Sequence, residues 1–290
     1  MKMIKDFDLF EPRSLSRLLS LFDQYRGSAR IIAGGTDLLV EMQKGRRVSP
    51  VLISLQNIPE LTHISYHPRS GLRLGTTVTI HEVERSPVIK ENYFLLAQAA
   101  SRLGSLQVRN QATIGGNLCQ ASPAGDMIPP LMALGAQLSL QSVSGKRLIQ
   151  IEKFFKGPGK TALKSGEILK EILIPPPHPN DRHLFLKYSR TGGVDLAIVN
   201  VAVRVRLKED HLCEEARISL GAVSPTVIRA RLSESLIEGK KLDDDLVQKA
   251  GEKVPEEIKP ISDVRASGEY RKEMARVMTI RALKTIMAKS

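Results

Sequence analysis

The chain has 290 residues, of which 42% are hydrophobic, 26% charged and 4% aromatic, and its formal net charge is +12. That length suffices for two domains of ordinary size, and no run approaches the roughly 18 consecutive apolar residues of a membrane helix. Only two cysteines, Cys119 and Cys213, are present, too few and too far apart to hold an iron–sulfur cluster.

From the N-terminus, Met1 to Phe7 carries basic residues but no apolar signal core, so a cytoplasmic protein is expected. Leu15, Leu18, Leu19 and Phe22 have helical spacing, with Ser14 as N-cap. Arg30 to Ala33 predicts a short strand running into Gly34-Gly35-Thr36-Asp37, after which Leu38, Leu39 and Met42 continue as a helix. Strands are predicted at 51–53 and 72–74, a helix capped by Thr79 over 79–84, and another from Phe94 to Leu103 that stops at Gly104. Residues 105–120 lack periodicity and read as an ordered loop. A helix should start at Pro129-Pro130 and run to Ala136, with strands following at 137–140 and 168–174. The stretch Pro175 to Asp181 holds four prolines and predicts a linker. Beyond it come strands at 185–188 and 197–207, then helices at 226–238, 243–252 and 270–288, an α+β pattern.

Two paired-glycine segments stand out, 33–37 and Thr113-Ile114-Gly115-Gly116-Asn117. Paired glycines let backbone approach a bulky anion and aim N–H groups at it, and the strand, glycine turn and helix start at 31–38 favour the same thing. A dinucleotide pyrophosphate is one candidate ligand among several. The Rossmann GxGxxG is absent, and Gly159-Lys160-Thr161 misses the phosphate-loop motif because Phe154 stands where glycine is required. His63 and His67 have metal-like spacing but no cysteine or carboxylate set beside them, so they read as surface residues and no metal site is expected. The basic segments lack any zinc spacing or base-stacking aromatic set, which argues against nucleic acid as a partner.

With Ile31 to Leu38, Thr113 to Asn117, Ser122-Pro123-Ala124-Gly125-Asp126, Gly157 to Thr161, Lys187-Tyr188 and Ser262 to Ser267 before Tyr270-Arg271 in view, the chain resembles, nearly end to end, the medium flavin-binding subunit of the xanthine oxidase and carbon monoxide dehydrogenase family. The resemblance implies an FAD-binding domain of the vanillyl-alcohol oxidase type at 1–176, in subdomains of about 1–58 and 59–176, and a smaller α+β domain at 182–290 with an antiparallel sheet and helices. It implies that Ile31, Ile32, Ala33, Gly34, Gly35, Thr36, Asp37 and Leu38, with Thr113, Ile114, Gly115, Gly116 and Asn117, hold the FAD pyrophosphate. Asp126 would contact the adenosine side, Leu103, Leu169 and Lys187 would line other parts, and Tyr188 would sit near the isoalloxazine. A large partner would carry the molybdenum cofactor and a small one the [2Fe–2S] clusters, in a dimer of heterotrimers. Relatives with a [4Fe–4S] insertion are disfavoured by the cysteine count.

The missing acid–base or nucleophilic set agrees with a protein that leaves its redox chemistry to flavin. Cys119 then reads as a small buried hydrophobe. A stand-alone flavin oxidoreductase of the same fold and a basic binding protein are the competing readings. Neither the substrate nor the electron acceptor is written in this chain.

Overall fold

The computed structural model describes residues 5–191 and 194–288. The chain begins with β1 (Asp8–Phe10), α1 (Leu15–Gln24), β2 (Ala29–Ile32), α2 (Leu38–Gln43) and β3 (Val51–Ser54). Ser14 caps α1 by accepting the Arg17 N–H at 3.3 Å, and Leu15, Leu18, Leu19 and Leu21 form the buried stripe of that helix. The strands make a small parallel sheet in the order β1-β3-β2. Its central strand is apolar except for its last residue and buried throughout, as a parallel strand covered on both faces must be.

Next come β4 (Ile64–His67), β5 (Gly71–Gly75), α3 (Ile80–Arg85), α4 (Pro87–Asn92), α5 (Phe94–Ser101), α6 (Leu106–Gln111), α7 (Ile114–Gln120), α8 (Ile128–Ala133), β6 (Gln137–Ser142), β7 (Gly145–Gln150), the hairpin β8 (Phe155–Gly157) and β9 (Lys160–Thr161), and β10 (Ile168–Ile174). Five of these strands form an antiparallel sheet ordered β4-β5-β10-β6-β7. Its apolar side chains Leu72, Leu74, Leu138, Leu140 and Ile172 share one core with Leu95, Leu96, Ile114, Leu118 and Leu131 of the helices.

The last part contains β11 (Asp181–Tyr188), β12 (Val199–Leu207), β13 (Cys213–Gly221), β14 (Ile228–Arg229), α9 (Arg231–Ile237), α10 (Asp244–Glu257) and α11 (Gly268–Met287), with the strands antiparallel in that order. The alternation along β12 decides how this sheet is used. Val199, Val201, Val203 and Val205 point to a core shared with α10 and α11, while Ala202 of the opposite face joins the core of the preceding sheet and helices, as do Phe185 and Val227. Asn200 and Arg204 lie on that second face and are buried. They need partners there, and Asn200 Nδ2 donates to Asp126 Oδ1 at 2.9 Å while Arg204 Nε donates to Ala133 O at 3.1 Å.

Several expectations are corrected. Residues 105–120 are not a loop but two short helices, each capped by a side-chain hydroxyl, Ser105 to Val108 N and Thr113 to Gly116 N. The proline-rich linker is shorter than expected because β11 already starts at Asp181, and the start of the helix expected over 226–238 is the strand β14. Strands β1, β4, β7 and β13 were not predicted. His63 is not a bare surface residue: its Nε2 lies 2.7 Å from Glu171 Oε1, while His67 is exposed as expected. Among the described residues no helix is long and apolar enough to cross a membrane.

Candidate functional site

A cavity of about 330 Å³ opens between the parallel sheet, the α5–α7 segment and the start of β10. All of Ile31 to Leu38 line it, together with Leu103, Thr113, Gly115, Gly116, Asn117 and Leu169. Ile114, Asp126, Lys187 and Tyr188 are not on its wall, and Ile114 is fully buried in the core beneath.

The two glycine segments turn out to do different work. At 34–37 the strand β2 has ended and α2 has not begun, and among the described residues the N–H groups of Gly34, Gly35, Thr36 and Asp37 donate to no protein acceptor. Gly35 has φ +71°, the left-handed geometry that folds successive N–H groups toward one point. Gly34 answers a different need: a Cβ there would stand 1.7 Å from Gln111 O, so the loop can lie on the end of α6 only without one. α2 has only six residues, so the donors come from the loop rather than from a long helix.

The second segment spends its donors internally. Ile114 N bonds Val78 O at 2.9 Å, Gly115 N bonds Thr76 O at 3.0 Å and Asn117 N bonds Thr113 O at 3.0 Å. Its glycines give closeness, since a Cβ on Gly115 would fall 1.7 Å from Thr76 Oγ1. Asn117 lines the cavity, while its Oδ1 is turned toward Gly125, buried and without a hydrogen-bond partner. An orphaned buried amide oxygen costs stability unless something else donates to it.

Asp37 also faces the cavity and its side chain does not cap α2. Burial, aided by nearby Glu41 and opposed by Arg47, raises its carboxyl above the ordinary range. The thiol of half-buried Cys119, also on the wall, is pushed up to about 12 by burial and is therefore unreactive. Other wall residues escaped the sequence reading, among them Thr76, Val108, Ala112, Arg47 and Glu167. Their one legible signal is nearness in sequence to the motifs, as for Val108 and Ala112 and for Glu167, which stands in the Glu167-Ile168-Leu169 segment of the family resemblance; Thr76 has none.

Asp126 and Lys187 form a buried ion pair behind the wall. Lys187 Nζ donates to Asp126 Oδ2 at 2.6 Å and to Arg102 O at 2.9 Å, beside the wall residue Leu103. Desolvation raises the Asp126 carboxyl, against the lowering effect of Lys187 and Asn200. The Tyr188 hydroxyl meets that of Tyr270 at 2.9 Å.

Free backbone donors at one place and apolar walls from Ile31, Leu55, Leu103, Ile168 and Leu169 suit a long ligand with an anionic middle and flat rings. The class so defined is a dinucleotide-binding protein, and FAD fits the donor set.

Comparison with known proteins narrows the class. Residues 5–177 match the family model described as the FAD binding domain in molybdopterin dehydrogenase, and residues 184–286 match the CO dehydrogenase flavoprotein C-terminal domain. The glyceraldehyde dehydrogenase medium chain of Sulfolobus acidocaldarius is 33% identical over 282 residues, covering 97% of this chain and 98% of the relative. Among solved structures, a chain of carbon monoxide dehydrogenase from Hydrogenophaga pseudoflava superposes with a TM-score of 0.95 at 29% identity, covering 99% of both chains. A chain of quinoline 2-oxidoreductase from Pseudomonas putida 86 gives 0.91 at 29%, covering 98% of both. The chain belongs to the family of FAD-binding flavoprotein subunits of molybdopterin dehydrogenases.

Proposed function

We propose that this chain is the flavin subunit of a molybdenum-containing hydroxylase or dehydrogenase, taking electrons from [2Fe–2S] clusters of a small partner and delivering them through FAD to an external acceptor, while a large partner carries the molybdenum cofactor. The observation that carries the reading is the cluster of unpaired N–H groups of 34–37 on the wall of one cavity, which Asn117 of the second glycine segment also lines. The reading divides the chain into an FAD-binding domain at 1–176 and a second domain at 182–290, and it puts the assembly in the cytoplasm as a dimer of heterotrimers. Two free cysteines accord with a reducing compartment.

FAD, when bound, supplies the redox chemistry. The chain's part is to bind, orient and shield it. N–H groups of 34–37 are proposed to take the pyrophosphate oxygens, and Asp37 a hydroxyl, with Asn117 forming part of the opposite wall. Leu103 and Leu169 would keep water from the flat rings. Asp126 and Lys187 support that wall from behind through Arg102 O.

An absorption spectrum of the purified chain tests the reading. Bands near ~370 and ~450 nm, with FAD released at about one per chain on heating, are expected. Co-expression with the small and large partners should yield one complex containing FAD, iron and molybdenum. A folded, colourless protein that takes up no FAD, alone or with the partners, would sink the proposal.

A further inference from the structure

The segment between the two glycine motifs is gripped by a side chain that has no expected role. Arg109 of α6 points back toward α5: its Nε donates to Glu84 Oε2 at 2.8 Å, and its Nη1 donates to Gly104 O at 3.0 Å and Leu103 O at 3.2 Å. Both partners of the ion pair are largely buried, with side chains 14% and 20% exposed. Together with Lys187 on Arg102 O, this means that three successive carbonyls, 102 to 104, each accept from a cation.

The consequence reaches both sides of the cavity. Leu103 and Val108, which flank the gripped turn, line the wall, as does Ala112 at the end of α6. Gln111 O, also at that end, presses on Gly34. α6 is tied to α3 twice, through Arg109 to Glu84 and through Ile80 N to Ala112 O at 2.9 Å. Loosening the first tie frees α6 to tilt about the second, and a tilt shifts Leu103 and Val108 on one side and the Gly34 loop on the other.

We infer that Arg109 and Glu84 are positioning residues for the flavin cavity, fixing the α5–α6 wall against the donor loop at 34–37. The inference rests on the proposed FAD site. Arginine suits this place because its Nε and Nη1 are held apart in a planar fork, one on the carboxylate and the other on two carbonyls; lysine keeps the charge but donates from a single point.

The test uses the full chain, alone and in complex with its partners, in the forms wild type, Arg109→Met, Arg109→Lys and Glu84→Gln. FAD affinity, the visible circular dichroism of bound flavin and the apo-protein melting curve are measured. Arg109→Met should bind FAD about tenfold more weakly, with an altered flavin dichroism band and an apo melting curve that still shows a cooperative fold. Arg109→Lys and Glu84→Gln should lie between it and wild type, and they decide the matter if Arg109→Met does not fold. Wild-type affinity and an unchanged flavin band in the variants would overturn the role of Arg109 while leaving the FAD site standing. Failure of the wild type itself to take up FAD overturns both.

Discussion

The Asn117 side chain has no hydrogen-bond partner for Oδ1 within the protein, so replacing it by leucine removes no protein hydrogen bond and relieves a buried orphan. Asn117→Leu is expected to unfold at the same or a higher urea concentration than wild type and yet to bind FAD about tenfold more weakly. A fall in both would mean that the amide is structural. Glycine positions divide in a comparable way. Gly34→Ala drives a methyl into the Gln111 backbone, whereas Gly116→Ala meets only the Thr113 hydroxyl at 2.9 Å, which can yield at the expense of its cap on Gly116 N. The first should cost on the order of 2 kcal/mol by overpacking and the second clearly less; urea midpoints of the two variants give the comparison. The glycine pairs were legible in the sequence, but which of them keeps free donors was not. That depends on Thr76 and Val78 consuming the N–H groups of Gly115 and Ile114. The Asp126 to Lys187 pair was equally hidden, since its partners stand 61 residues apart and meet only when β11 is laid beside the turn between α7 and α8.

Elements were legible where packing imposes a single period. The strands near 72–74, 137–140 and 168–174 are legible because their apolar runs serve one core, and that near 51–53 because its run is buried in a second core with α1. β13 was missed because Glu214, Glu215 and Arg217 break its apolar pattern; Glu215 and Arg217 pair with each other, and Glu215 also with Arg204 and Arg206. α6 is not legible because none of its residues is buried, which leaves it without an apolar stripe, and α7 because it carries two glycines. The segment before α11 gives the prediction at this scale. Asp263 accepts from Arg265 and, through Oδ1, from the buried Arg271 at 2.8 Å, and Arg271 also holds Ile198 O and Ala222 O. The Arg265 hydrogen bonds, with further help from Arg271, hold the Asp263 carboxyl far below the ordinary range despite some desolvation. A folded-state value below the unfolded one contributes stability that is complete above the unfolded value, roughly 3.9, and is lost as pH falls below it toward the folded value. Asp263→Asn should therefore cost about 2 kcal/mol near neutral pH, because Arg271 is left buried without its counter-charge. The gap in urea stability between variant and wild type should stay constant down to about pH 5 and narrow from there toward about pH 2. A gap independent of pH would mean that Asp263 acts through shape alone.

At the scale of the whole molecule, the two regions matched by separate family models are not independently sealed. Phe185, Ala202 and Val227 complete the core of the preceding sheet and helices, Arg204 satisfies Ala133 O, and Ala222 N donates to Pro123 O at 2.7 Å. Cut after residue 176, the first part would expose that apolar face and lose both Lys187 and Asn200, the partners of the Asp126 carboxylate. Such a fragment is expected to be molten or insoluble, and the intact chain to unfold in one calorimetric transition. Ligand linkage sharpens the test. FAD at about a hundred times its dissociation constant should stabilise the folded state by about 2.7 kcal/mol. If the regions fold as one, the added FAD moves the whole transition upward; if they are independent, two transitions appear and only the one belonging to residues 5–177 shifts. The chain contains no tryptophan, so flavin fluorescence can be followed through the melt without indole emission, and its release should coincide with the single heat-absorption peak. Release well before that peak would place the weakest joint at the cavity itself, in the α5–α6 wall that Arg109 and Lys187 hold.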